Sequence, residues 1–264
     1  MTPALIDIGA NLADSSFDSD RDQVIERAFA AGVQRLIVTG SSEQSSRDAL
    51  ELARGRPGEL FATAGVHPHH ADSLDDGTLS TLRALAGEQQ VVAVGECGLD
   101  YYRDLSPRST QIESLEAQIQ LAAELSMPLF LHERDAHEAM VEVLRRTRDS
   151  FPRAVIHCFT GTAEQVSAYL DMDLHIGITG WICDERRGSH LRDVVKLIPT
   201  DRLMLETDAP YLLPRTIRPK PKSRRNEPAN LPHVLHAVAE GTGMSAAELA
   251  AATTRTAERF FDLG

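Results

Sequence analysis

A closed (β/α)8 TIM barrel, within the α/β class, is the fold this sequence predicts. Three observations point there. β-Branched runs alternate with amphipathic stretches from end to end. Eight such units span 264 residues, roughly 33 residues each, near the repeat of a barrel of about 250 residues. No G-x-G-x-x-G or Walker lysine loop occurs; a doubly wound open sheet, the runner-up, usually carries such a phosphate turn.

The predicted strands are Leu5–Ile8, Arg35–Thr39, Phe61–Val66, Val91–Gly95, Pro128–Leu131, Ala154–Ile156, His175–Thr179 and Leu203–Glu206. Between them, Asp20–Ala31 sets Val24, Ile25, Ala28 and Phe29 on one helical face. Ser106–Ser126 opens with a serine cap and a first-turn proline, and repeats Ile112, Leu115, Ile119 and Ala122 at helical spacing. Ser245-Ala-Ala-Glu248 reads as a capping box. Arg215 to Arg225 carries six basic residues in eleven and two prolines, which predicts a semi-rigid loop after the eighth strand. No linker divides the chain, so residues 1–264 are expected to form one domain.

Composition narrows the function. Hydrophobic residues at 42% and charged residues at 25% are ordinary for a globular chain. A net charge of −12 excludes nucleic-acid binding by a general basic coat, so any phosphate contact must be local or carried by cations. The three cysteines, Cys97, Cys158 and Cys183, form no C-x-x-C pair; a reducing compartment and packed thiols are expected. Met1 to Asn11 lacks a basic patch followed by an apolar run, and no stretch of about 18 apolar residues occurs, so a soluble, cytoplasmic protein without a membrane span is expected.

The chemistry gathers where strands end. Strand 1 carries Asp7, strand 3 runs into His67, strand 4 into Glu96, strand 5 into His132, strand 6 into His157, and strand 8 into Glu206 and Asp208. In a barrel these ends share one mouth. Alternation places Asp208, Glu206 and Met204 on one face, and Glu96 with Val94 and Val92. Imidazoles and carboxylates so grouped suit divalent cations, and two ions about 3.5–4 Å apart grip a phosphoryl group and activate water. A single strand-end histidine reads as structural; three with two carboxylates read as a site. His175, His137, His190, His233 and His236 are expected in packed or solvated roles, while His69 and His70 lie within reach of the mouth. His132 and His137 are not spaced as H-E-x-x-H.

These motifs together resemble the TatD family of metal-dependent deoxyribonucleases. The matching segments are D-I-G-A-N at 7–11, G-V-H-P-H at 65–69, G-E-C-G-L-D at 95–100, L-H-E-R-D at 131–135, H-C-F-T-G at 157–161, E-T-D-A-P-Y at 206–211 and S-R-R-N-E-P at 223–228. I-T-G-W-I-C-D-E-R-R at 178–187 is similar to the member that gives the family its name. The resemblance covers nearly the whole chain. It implies a metal-dependent hydrolase and 3′–5′ exonuclease, acting on single-stranded DNA or 3′ ends and extending to RNA, with Mg²⁺ as cofactor (Mn²⁺ or Zn²⁺ as alternatives). Carried over residue by residue, it makes Glu96, His132, His157 and Asp208 metal ligands and places His67 at the active site. The chain departs from the D-x-H-x-H of many relatives: Gly9 and Asn11 stand at the histidine positions. That weakens one metal position and favours an oxygen-seeking ion there.

The expected division of labour follows. Glu96, His132 and His157 hold a first ion; Asp208, Asn11 and Asp7 surround a second, weaker one. Asp208 serves as base, Glu206 supports the ligands from behind, and His67 contacts the phosphate or leaving oxygen. Arg134, Arg224 and Arg225 are expected on phosphates, against a solvated charged loop as the alternative; Trp181 and Tyr211, with Tyr101 and Tyr102, on bases, against loop packing. A monomer is expected. Two rival functions stay open at this point: hydrolysis of another bond, such as an amide, a lactone or an aminoacyl-tRNA ester, and nucleic-acid binding with weakened catalysis.

Overall fold

Valine and isoleucine crowd the turns of a helix but suit a pleated sheet, and the V/I-rich runs accordingly become strands. The computed structural model describes residues 4–264. The first three residues, where the stretch read for a leader begins, lie outside the described residues. The strands are β1 (Leu5–Ala10), β2 (Val33–Val38), β3 (Leu60–Ala64), β4 (Val91–Asp100), β5 (Leu129–Arg134), β6 (Ala154–Ile156), β7 (His175–Ile178) and β8 (Leu203–Leu205). They form one sheet in the order β1 to β8. The pairs β3/β4, β4/β5, β5/β6 and β7/β8 are parallel. A parallel bridge joins Ala10, at the end of β1, to Ala209, just past β8. Sequential order with first and last strands joined is the topology of a (β/α)8 barrel and excludes the doubly wound alternative, whose order reverses at a switch point.

Helices fill the connections: α1 (Arg21–Ala30), α2 (Glu43–Gly55), α3 (Asp76–Ala86), α4 (Arg108–Leu125), α5 (His137–Thr147), α6 (Ala163–Leu170), α7 (Leu191–Val194), α8 (Leu231–Thr242) and α9 (Ala246–Phe261). Among the described residues no helix is long and apolar enough to cross a membrane. Among the described residues the three cysteines form no disulfide.

The residues cluster into two compact units. Of the described residues, the first comprises 4–37, 158–170 and 176–264; the second 38–157 and 171–175. In the first, α1 buries Val24, Ile25 and Ala28 as its periodicity predicts. The expected capping box opens α9: the Ser245 side chain accepts from the Glu248 N–H, and Glu248 returns the bond to the Ser245 N–H. The 206–227 connection, which contains the basic segment, carries no helix.

In the second unit, two expectations need correction. Pro107, not Ser106, occupies the cap of α4, because the Ser106 hydroxyl bonds the His69 carbonyl (3.4 Å) and Asp72 Oδ1 (3.2 Å) instead. And β4 does not stop at Gly95. It continues to Asp100, since Gly95 (φ 135°) and Gly98 (φ 150°) adopt backbone angles closed to L side chains, and a Cβ at either would run into the carbonyl oxygen of Phe130 or His132. Glycines that read as punctuation in sequence here let a strand keep pairing.

Candidate metal and active site

The extended β4 shapes the second unit's site. Its register against β5 pairs Gly95 with Phe130 and then Cys97 with Leu131, leaving Glu96 as the extra residue of a bulge. Bulges re-aim side chains, and Glu96 is turned among imidazoles. Its Oε1 lies 3.0 Å from His132 Nδ1, 3.1 Å from His157 Nε2 and 3.4 Å from His67 Nε2. The ligand atoms of His67, Glu96 and His132 all fall within 4.8 Å of one another. Three imidazoles, one past the end of β3, one on β5 and one just past β6, thus surround one carboxylate oxygen on β4, and all four residues are among those singled out in sequence.

Electrostatics prepare them for a cation. Burial opposes ionisation of Glu96, but the facing His67 and His157 and the His132 hydrogen bond hold its carboxyl well below the usual range. Burial pushes His67 down to about 3, against the pull of Glu96, so this imidazole is neutral, with its Nδ1 accepting from the His69 N–H at 3.1 Å. His132 is raised: burial opposes it, and hydrogen bonds to Asp100 and Glu96 win. Its Nδ1 faces Glu96, and its buried Nε2 rests 3.4 Å from Asp100 Oδ2. An ionised carboxylate, the neutral His67 imidazole and two further ring nitrogens converging on the same oxygen make a donor set that fits a divalent metal.

Sequence reasoning missed the residues that support this group. Asp100, at the end of β4, is buried and takes His69 Nε2 at 2.7 Å; burial resists its ionisation, but His132, the Arg103 N–H and His69 hold it far below the carboxylate range. His69, left open in sequence, therefore joins the cluster, its ring 4.2 Å from that of His67. Two buried glutamines on α4 clamp the strand ends. Gln118 accepts from the Val66 N–H (2.8 Å) and donates to the Val66 carbonyl (3.0 Å), next to His67. Gln111 accepts from the Asp100 N–H (2.8 Å) and donates to the Asp100 and Ser106 carbonyls (3.3 and 2.8 Å). The available signal was glutamine on the apolar stripe of α4, seven residues apart, which puts both amides on one face. Cys97 is buried and its thiol pushed up by burial and by Glu96, an inert packed thiol as expected.

The remaining expected residues lie in the first unit, except Arg134. Asp208, in a left-handed conformation (φ 54°), accepts from Asn11 Nδ2 at 3.0 Å. Asp7 is engaged by protein donors: Oδ1 takes the Thr207 N–H (2.9 Å) and the Gly9 N–H (3.3 Å), and Oδ2 the Thr207 hydroxyl (2.5 Å). Glu206 accepts the Cys158 N–H at 2.5 Å. Arg225 is held by Asp20 (2.7 Å through both nitrogens), Glu227 (3.0 Å) and the Ser16 carbonyl (2.7 Å), so its guanidinium is turned to an internal ladder. Arg224 and Trp181 border a cavity, Arg187 lies 4.5 Å over the Trp181 ring, and Tyr211 is 54% exposed. In the second unit, Arg134 sits 4.0 Å over the Tyr102 ring.

Fold and site place the molecule among (β/α)8 hydrolases that carry histidine and carboxylate ligands at strand ends. Comparison with known proteins narrows the class. The family description TatD related DNase matches residues 6–262. The chain is 52% identical over 259 residues to the 3′-5′ ssDNA/RNA exonuclease TatD of Erwinia tasmaniensis, covering 98% of this chain and 100% of that one. It is 49% identical to the namesake of Salmonella typhimurium, at 98% and 99% coverage. Among solved structures, a TatD family hydrolase from Entamoeba histolytica superposes with a TM-score of 0.90 at 27% identity, covering both chains fully. A TatD homologue from Escherichia coli gives 0.90 at 29% identity and 99% of each chain. The chain belongs to the TatD-related DNase family, and the resemblance carried by its strand-end motifs is borne out.

Proposed function

We propose that this protein is a Mg²⁺-dependent 3′–5′ exonuclease of single-stranded DNA and RNA, working as a monomer in the cytoplasm. What supports the reading is one observation, three imidazoles converging on the ionised Glu96, in a chain 52% identical to a relative named for that activity. The residues that would hold the ion are Glu96, His132, His157 and His67. A divalent cation there supplies Lewis acidity to the phosphodiester and acidity to water. Neutral His67 presents a ring nitrogen to a ligand or a phosphate oxygen, and Asp100 keeps His132 turned toward Glu96. Asp208, steadied by the Asn11 amide, is proposed as a further ligand and proton acceptor, and Asn11 supplies a neutral oxygen that favours Mg²⁺ or Mn²⁺ over Zn²⁺. Arg134, Arg224, Trp181 and Tyr211 are proposed strand contacts; Arg225 drops out because its charge is matched internally.

The test is a metal titration of chelator-treated protein on single strands labelled at either end. Mg²⁺ should restore stepwise shortening from the 3′ end. Hydrolysis that survives exhaustive chelation, or metal-restored cleavage of an amide or aminoacyl ester with no action on oligonucleotides, would overturn the reading.

A further inference from the structure

The chain is strongly acidic, with a net charge of −12, yet its first unit gathers cations around one cavity. This cavity, about 730 Å³, lies between the turn after β7 and the proline-rich connection after β8. Six arginine or lysine side chains border it, and Asp184 is the only carboxylate among its lining residues. A cluster of one sign in a concave, partly apolar wall focuses potential and selects an anion even on an acidic protein.

Its construction is asymmetric. Asp184 is 4% exposed and draws three guanidinium groups to one side: Arg187 at 3.2 Å, Arg215 at 3.8 Å and Arg186 at 3.9 Å. Burial resists its ionisation, but the Arg186 N–H and the Arg187 side chain hold the carboxyl below its ordinary range. Arg187 in turn lies over the Trp181 ring. On the other side stand Arg218, Lys220 and Arg224; among the described residues none has a carboxylate in ion-pair reach. Leu212, Pro214 and Ile217 complete an apolar stretch of wall. One carboxylate for six cations leaves the cavity with a surplus of positive charge, beside an indole already stacked with a guanidinium. A chain of phosphates with a planar base matches both features, whereas a lone small anion would leave the indole and the apolar wall without a counterpart. The volume lies in the range of pockets that take ligands larger than a single nucleotide phosphate.

We infer that this cavity is a metal-independent holding site for single-stranded nucleic acid. It grips successive phosphates through Arg218, Lys220 and Arg224 and stacks a base at the Trp181–Arg187 pair. None of these residues belongs to the Glu96 cluster, so holding and hydrolysis are separable. The inference deepens the exonuclease reading and rests on it for the choice of ligand. Its consequence is that strand affinity, and not only turnover, depends on length.

Trp181 is the chain's only tryptophan, so intrinsic emission reports this cavity directly. Purified full-length protein is titrated with a thymidine decamer and with thymidine monophosphate, in chelator, over a range of salt. A saturable emission change with the decamer is expected, at least about tenfold tighter than with the monophosphate. The logarithm of affinity should fall with the logarithm of salt, and losing one phosphate contact should reduce that slope by about 0.7. The paired exposed changes Arg218→Glu and Lys220→Glu should weaken binding at least tenfold, while Arg145→Glu with Arg146→Glu on α5, an equal charge change elsewhere, leaves it intact. Silent emission, equal affinity for decamer and monophosphate, or wild-type binding by the double variant would each overturn the inference. Metal-dependent hydrolysis measured in parallel separates the two claims. Hydrolysis with a silent Trp181 sinks the holding site alone; a responsive Trp181 without hydrolysis sinks the exonuclease reading alone.

Discussion

Glu96 carries the most at the scale of single residues. It is a buried carboxylate whose ionisation is maintained by imidazoles rather than water, and such a group is stable only beside positive charge or strong donors. Glu96→Gln keeps the shape but removes the charge. Calorimetry should show metal affinity lowered, and turnover should fall by at least about a hundredfold, the scale for a group that positions or activates a nucleophile. Wild-type metal binding by this variant would remove Glu96 from the site. Arg225 illustrates the opposite lesson. A basic residue in a basic segment invites a role on phosphates, yet its two terminal guanidinium nitrogens are spent on Asp20, Glu227 and a carbonyl, and the paired Asp20 is drawn down to about 2 by Arg225 first and Arg27 after.

At the scale of elements, α4 acts as a brace. An amphipathic helix is expected to bury apolar side chains; α4 also buries Gln111 and Gln118, each closing a two-way bond with a peptide group at a strand end. Gln118→Leu would strip the Val66 N–H and carbonyl of their partners, at about 1–3 kcal/mol for each buried group left unsatisfied. The variant should melt several degrees lower and, because His67 follows Val66 in the chain, bind metal more weakly. A drop in melting temperature with unchanged metal affinity would make the clamp a stability device only. The β4 bulge is the partner of this brace: it aims Glu96, and the two positive-φ glycines let the strand run on to deliver Asp100 beneath His132.

The whole molecule should show the strain of its buried acids as pH changes. Burial pushes Asp7 up to about 7, against the donors of Thr207 and Gly9. Its folded pKa lies above the unfolded value of 3.8, so the native state holds this proton more tightly. The stability it contributes is complete below that unfolded value and is lost as pH rises through about 7. At about 1.4 kcal/mol per unit, the interval corresponds to roughly 4 kcal/mol. Denaturant midpoints of chelated protein should therefore contain a component that declines from mildly acidic to neutral pH and is absent in Asp7→Asn. An identical pH profile for the two proteins would show that Asp7 is ionised throughout.

How much of this was written in the chain is best judged from particular residues. The eight strands appeared as β-branched runs because pleated backbone selects those side chains locally, and the cluster of His67, Glu96, His132 and His157 was legible because a barrel puts every strand's C-terminal end to the same use. These depend on neighbours in sequence and on a repeating topology. The tertiary structure alone decided that β4 bulges at Glu96, that Asp100 and His69 join the cluster, that α4 glutamines clamp two strand ends, and that Arg225 pairs internally while Arg218, Lys220 and Arg224 border a cavity. Each of those is a pairing across tens to hundreds of residues, set by which donor meets which acceptor once burial has removed water as a competitor, and no local pattern of side chains encodes that choice.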